Sequence, residues 1–450
     1  MQQRGKQLFL PALKHCINEH PILSTVILGA DGEAPEYATP DTLDLDNHID
    51  LLEPPTDLPE HKHVVRVVNQ VCDATFSDLD RVPPWKIVVA PLSAADTSGV
   101  RMLILLAYYH SHGDGRSALA FHKSFLEGLE FSDSAESTAH AVCKPPTSEL
   151  PPPIEKAGRL YVSWTYLLGP LLSVYLPASV SRALGFRVPA AEQQGRIWTG
   201  KPHTYNGPGD FDTGVEVLQI DHNCMKAVLS NCEAHKTTFT GLLNHLIVRA
   251  LSELPDADAF ASQIVVDLRS HLSAIGTNDM ASAVTAYYET VPRSNLDSSP
   301  SITGDCWSKA RKTSEGLVKT ASTLNDQPIG LLQYLSKFRP WTMGQVGKTR
   351  EASFEISNLV VFDPWAGKEE QSRHQKWQIE SAIFVQPANV AGAAISFSIV
   401  TAKNGPLVMT ASWQRGVLSL EDFGCDLDES SFVVKVCSNV EASLRELANA

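Results

Sequence analysis

Five prolines crowd into CKPPTSELPPPIEK (143–156), and no other stretch constrains the fold of this 450-residue chain as much. Proline fixes φ and has no N–H to donate, so neither a helix nor a central strand can run through such a segment. The chain is therefore read as two bodies joined by a crossover. Residues 1–142 form the N-terminal half, 143–212 a Pro-rich crossover with an apolar insertion, and 213–450 the C-terminal half.

Hydrophobic periodicity fills both halves with helices and strands. Leu8, Leu10, Leu13, Cys16 and Ile17 recur at helical spacing within 6–19. HPILSTVIL (20–28) predicts a turn and a strand. HVVRVVNQV (63–71), WKIVVAPL (85–92) and VRMLILLAYY (100–109) predict further strands, the last of buried type. RSALAFHKSFLEGL (116–129) returns to a helical period. In the second half, VEVLQID (215–221), QIVVDLRSHL (263–272), FEISNLVVFD (354–363), AAISFSIVTAKNG (393–405) and LVMTASWQRGVL (407–418) read as strands. TTFTGLLNHLIVRALSEL (237–254) and SSFVVKVCSNVEASLRELA (430–448) read as helices, the first with threonine available as N-cap. The fold class is α/β, more narrowly α+β, in two halves.

The insertion LYVSWTYLLGPLLSVYLPAS (160–179) has no charged residue and approaches the length that a bilayer demands. Gly169-Pro170 interrupts it and Pro177 ends it early, so it predicts two short helices packed on the body. A transmembrane span is not expected; peripheral contact with a membrane surface stays open.

Charge narrows the partners. A net charge of −14 opposes nucleic acid and anionic membranes as principal partners. The eight cysteines are scattered with no C-x-x-C pair, the pattern of free thiols in a reducing compartment. The N-terminus lacks the apolar core of a signal peptide, and a cytoplasmic protein is expected.

The chemistry concentrates in LLAYYHSHGDGRSALAFH (105–122), where strand is expected to give way to helix. His110, His112 and Asp114 stand at alternate positions, with Gly113 and Gly115 interleaved. Three readings fit. Two histidines and an aspartate on one loop could ligate zinc, although Gly115 stands where a further ligand is needed and His203 is distant in sequence. A polar turn could merely cap the following helix. Or His110 could serve as a general base, since an imidazole titrating near pH 6.5 suits proton removal at neutrality. An alcohol attacking an activated thioester needs that base and no enzyme nucleophile, and the chain contains no G-x-S-x-G elbow.

At these residues the chain resembles the chloramphenicol-acetyltransferase-like superfamily. It is most similar to its fungal alcohol acetyltransferase and trichothecene acetyltransferase branch, which is related to plant-type acyltransferases and to nonribosomal peptide condensation domains. YHSHGDG (109–115) matches the His-x-x-x-Asp-Gly motif. HPILSTVI (20–27), DLDRVPPWKIVV (78–89), VVDLRSHL (265–272) and EISNLVVF (355–362) resemble its other segments in order and rough spacing.

The resemblance implies two chloramphenicol-acetyltransferase-like subdomains, each a mixed β-sheet flanked by helices, with a tunnel between them. It implies His110 as catalytic base, Asp114 as a structural residue followed by Gly115, and Arg269 as the candidate partner of Asp114. Tyr109, His112, Ser357 and Asn358 are then expected at the substrate tunnel. No bound cofactor or metal is implied; acyl-CoA, and acetyl-CoA first, is the co-substrate, and a small secondary-metabolite alcohol is the acceptor of a monomeric enzyme. Tyr109 stands where condensation domains carry a second histidine, which favours a free acyltransferase. DFGCD (422–426) departs from the plant-type Asp-Phe-Gly-Trp-Gly and reads as a turn leading into a helix. A carrier-protein thioester as donor, or a member that binds a ligand without catalysis, remain the alternatives.

Overall fold

The expected N-terminal helix is α1 (Leu10–Glu19). Leu10, Leu13, Cys16 and Ile17 are buried, whereas Leu8 lies outside the helix and is exposed. The structure is a computed structural model, and it describes residues 2–54, 58–92, 100–131, 140–173, 195–205, 207, 212–295, 302, 304–366 and 376–449. The chain gathers into two units. One comprises Met1–Ala157, Leu272–Ala283 and Phe362–Glu380; the other comprises Gly158–His271, Val284–Val361 and Ser381–Ala450.

In the first unit, the two-stranded ribbon of β1 (Val26–Leu28) and β2 (Glu36–Ala38) pairs Ile27 with Tyr37. β3 (Leu43–Asp44) will pair with a late strand. A mixed three-stranded sheet forms from β4 (Ile49–Leu51), β5 (Trp85–Pro91) and β6 (Met102–Tyr108), with β4 parallel and β6 antiparallel to β5. Every residue of β6 is half-buried rather than fully buried. The segment at 63–71, expected as a strand, is instead α2 (Glu60–Cys72). Its valines favour a strand by propensity, but His63, Val67 and Val68 are the positions it buries, a helical period. His63, which looks exposed in sequence, is thereby buried, with its ring 3.2 Å from the Pro91 carbonyl.

Helix α3 (Gly115–Phe131) follows β6 and packs on α1. Gly128 makes the approach possible: a Cβ there would lie 2.7 Å from the Cα of Ala12. Phe9, Phe121, Phe125 and Trp85 form an aromatic chain through this core, with centroids about 6 Å apart. The indole N–H of Trp85 donates to Leu23 O at 2.7 Å. β7 (Val142–Cys143) closes on β3. Two segments from far along the chain complete the unit. Met280 joins the core, and Arg101 bridges Glu60 (2.6 Å) and Glu380 (2.8 Å). Glu130 accepts the backbone N–H of Lys376 and Trp377 at 3.1 and 3.0 Å.

The second unit contains a seven-stranded mixed sheet. Its strands are β8 (Ile197–Trp198), β9 (Thr213–Ile220), β10 (Ala259–Asp267), β11 (Val284–Pro292), β12 (Phe354–Phe362), β13 (Ile395–Ala402) and β14 (Leu407–Gln414). The order is β11-β10-β12-β13-β14-β9, with β8 pairing alongside β10. β12 and β8 run parallel to β10, while β11 is antiparallel to it. Helix α4 (Trp164–Ser173) runs through Gly169 and Pro170, so the expected break there does not occur. A proline costs one intrahelical bond and crowds the preceding residue, and a glycine in that place has no Cβ to crowd. The rest of the insertion, 174–179, lies outside the described residues. Among the described residues no helix is long and apolar enough to cross a membrane. Helices α5 (His222–Ala234), α6 (Phe239–Leu251), α7 (Gly304–Ala321) and α8 (Glu429–Asn449) complete the unit. Thr238 caps α6, accepting the N–H of Gly241 at 3.1 Å.

Candidate active site

β6 ends at Tyr108, and the chain makes one 3-10 turn, His110–His112, before α3 begins at Gly115. The turn presents its two histidines differently. His110 is exposed, and among the described residues nothing hydrogen-bonds its ring. His112 is buried, at 1% exposure. Its Nε2 lies 3.1 Å from both the hydroxyl and the carbonyl of Thr25, and its Nδ1 lies 3.1 Å from Ser111 Oγ. Burial pushes the His112 imidazole below its ordinary pKa, against an opposing contribution from its bond to Thr25.

Asp114 is also buried and uses both carboxylate oxygens. Oδ1 accepts the backbone N–H of Ser117 at 3.1 Å, three residues on, which is the N-cap bond of α3. Oδ2 accepts the N–H of Ala283 at 3.0 Å. The carbonyl of Asp114 accepts from the Tyr108 hydroxyl at 2.7 Å. Ser117 Oγ donates to Ala281 O at 3.0 Å, and the Ala281 N–H lies 3.1 Å from the same oxygen. The polar-turn reading is thus correct as far as it goes, since Asp114 does cap the helix; the cap leaves the neighbouring His110 exposed. Gly113 is required for closeness: a Cβ there would sit 2.5 Å from Ser117. Gly115 opens α3.

Tyr109 takes up a packing position. Its ring meets Phe76 edge-on at 5.1 Å, and its backbone N–H donates to Pro84 O. In the second unit, Arg269 is buried just past the end of β10, and its guanidinium donates to Asp267 Oδ1 at 3.1 Å. Ser357 is buried within β12. Asn358 is held at both ends of its amide: Nδ2 donates to Thr240 Oγ1 at 3.1 Å, and Oδ1 accepts the N–H of Val360 at 2.8 Å. That second bond accompanies a left-handed backbone at Val360, φ +63°, a conformation that β-branched residues strongly disfavour.

Thr25, Tyr37, Ser117 and Ala283 are absent from the sequence expectations. Ser117 carried a signal, since Asp-x-x-Ser just before an apolar helix is a capping pattern. Thr25, Tyr37 and Ala283 carried none. Among the described residues no group of three or more histidine, cysteine or acidic side chains could hold a metal ion. His203, weighed as a zinc ligand, is buried with Nδ1 2.6 Å from Val390 O. Burial raises the pKa of Cys16, Cys143, Cys224 and Cys437, and lifts those of Cys72 and Cys232 to about 12 and about 11.

Comparison with known proteins identifies the family and the fold. A sequence profile of the alcohol acetyltransferase family matches residues 60–423. A probable alcohol acetyltransferase of Fusarium pseudograminearum, FCK4, is 23% identical over 434 residues, 90% of this chain and 80% of the relative. A probable alcohol acetyltransferase of Aspergillus fumigatus, crmB, is 23% identical over 429 residues, 89% of this chain and 84% of the relative. Among solved structures, the trichothecene 15-O-acetyltransferase TRI3 from Fusarium sporotrichioides superposes with a TM-score of 0.66 at 15% identity, covering 99% of this chain and 87% of that one. The fold is the chloramphenicol-acetyltransferase-like one.

Proposed function

The chain belongs to the alcohol acetyltransferase family, whose members transfer acetyl to an alcohol, and from that premise we propose that it takes the acetyl from acetyl-CoA with His110 as general base. One observation carries the proposal. His110 is an exposed imidazole on a short turn whose neighbours His112 and Asp114 are buried and hydrogen-bonded.

In the proposed reaction, a ring nitrogen of His110 takes the hydroxyl proton as the alcohol oxygen bonds to the thioester carbonyl carbon. The tetrahedral adduct collapses, the C–S bond breaks, and the proton passes from the imidazolium to the departing thiolate. The products are an acetate ester and free CoA, and no acyl-enzyme forms. The raised pKa values of the buried thiols support a direct path, because a protonated thiol is a poor nucleophile. Asp114, Gly115 and Arg269 serve geometry in this reading, and Ser357 and Asn358 belong to the lining. The acceptor is a small secondary-metabolite alcohol, and the enzyme acts as a cytoplasmic monomer.

The test uses the purified full chain, acetyl-CoA and a panel of small alcohols, following free thiol release. His110→Ala should stay folded and lose turnover by about 10²–10⁴-fold. Near-wild-type turnover in that variant overturns the base assignment.

A further inference from the structure

The turn carrying His110 cannot hold itself in place. Three residues of 3-10 helix supply two backbone bonds here, His112 N to Tyr109 O at 2.9 Å and Gly113 N to His110 O at 3.4 Å, and the second is long. Besides the anchors at Tyr109 and Asp114, restraint on the residues between them comes from Thr25, just before β1, through His112, and from Tyr37 of β2 through Ser111.

The protons on that contact can be assigned. The Thr25 hydroxyl donates its hydrogen to Ile22 O at 2.8 Å, which leaves Oγ1 only lone pairs to offer His112. The Thr25 carbonyl can only accept. Nε2 of His112, 3.1 Å from both, therefore carries the ring hydrogen and shares it between them. Nδ1 is then the acceptor, and Ser111 Oγ donates to it. Tyr37 completes the brace. Its hydroxyl donates to Ser111 O at 2.5 Å, and its ring stands edge-on to His112 with centroids 5.5 Å apart. Ser111, the residue between the two histidines, is held through both its hydroxyl and its carbonyl.

We propose that His112 is a positioning residue: as a neutral Nε2–H imidazole, it ties the His110 turn to Thr25 and the Tyr37 ribbon and so sets the angle at which His110 meets the acceptor hydroxyl. The inference rests on His110 being the base. His112 acts through His110 and touches no reacting atom. A buried ring with both nitrogens engaged is suited to this, whereas a substrate contact needs a free nitrogen.

The test compares His110→Ala, His112→Ala, His112→Gln and Tyr37→Phe in the full chain, each assayed well below its own melting temperature. His112→Ala should lower kcat by about 10- to 100-fold, the usual effect of a displaced catalytic group, with KM for acetyl-CoA unchanged. His112→Gln keeps an amide N–H for the Thr25 carbonyl and should recover most of the rate. Tyr37→Phe should fall between wild type and His112→Ala. The rate loss should persist when activity is expressed per folded molecule, which a merely structural role does not produce. Three results overturn the proposal: a folded His112→Ala with wild-type kcat, a raised KM with kcat intact, or a His112→Gln no better than alanine. If His110→Ala is inactive while His112→Ala is not, positioning alone fails; if His110→Ala is active, the base assignment fails with it.

Discussion

Asp114 accepts the backbone N–H of Ala283 at 3.0 Å, joining residues 169 positions apart in sequence. Its other oxygen is committed to the first turn of α3. One carboxylate thus fixes the start of a helix and the docking of a distant segment.

Asp114→Asn should therefore cost stability as well as rate. An amide has a single acceptor oxygen, so one of the two backbone donors meets an NH₂ group instead. Leaving a buried donor unpaired costs about 1–3 kcal/mol. Thermal melts and thiol-release rates on the same preparation check this. Unchanged melting with lost activity assigns Asp114 a direct part in the chemistry.

Gly113→Ala probes closeness at the same corner. A Cβ 2.5 Å from Ser117 must displace Ser117 and with it the bonds to Ala281. The expected outcome is a lower melting temperature, by about 1–3 kcal/mol in stability, and a slower enzyme. An alanine variant that melts with wild type shows that the corner yields freely.

Acid should unfold the protein through its buried histidines. His20, His48 and His245 are buried, and desolvation lowers each to about 4. A folded-state pKa below the unfolded value gives stability that is complete above about 6.5 and is lost as pH falls toward 4. Each group contributes on the order of 2–3 kcal/mol to that loss. His48 stacks on Trp85 at 4.1 Å, and its Nδ1–H donates to Trp85 O at 2.7 Å. His48→Gln keeps a donor and does not titrate. Urea midpoints measured from pH 7 to pH 4 should fall less steeply in the variant; parallel curves reject the assignment.

Glu289 has the opposite sign. Burial raises its pKa, with the Thr313 hydrogen bond and nearby Lys312 pulling the other way. A raised folded-state pKa means that stability is full below the ordinary glutamate range and declines as pH rises through the folded value. The bonds from Asn244 (3.1 Å) and Thr313 (2.7 Å) both end on Oε2, which a glutamine oxygen can replace. Glu289→Gln should raise the melting temperature at pH 8 and leave it unchanged at pH 4. A lower melting temperature at pH 8 shows that the charge itself stabilises the fold.

Much of this molecule can be read along the chain. β5, β6 and α3 follow from periodicity, and the corner between β6 and α3 follows from its glycines and its Asp-x-x-Ser cap. Propensity fails at 60–72, where valines lie on a helix because tertiary packing selects every third or fourth position for burial. The brace on His112 is illegible for another reason. Thr25 and Tyr37 lie 87 and 75 positions away, and a hydrogen bond between such distant residues leaves no periodic trace. Leu272–Ala283 and Phe362–Glu380 belong to the first unit without any compositional mark of that membership.

Those two segments also impose an order on biosynthesis. Domains ordinarily fold as they leave the ribosome, N-terminal first. Here the nascent first 157 residues lack Met280 for their core, the Ala283 amide for Asp114 and the Glu380 carboxylate for Arg101. The clasp on the corner between β6 and α3 closes only once residue 283 has emerged, and the unit is complete only after residue 380. Until then the growing chain holds an apolar surface that its own later residues have yet to cover.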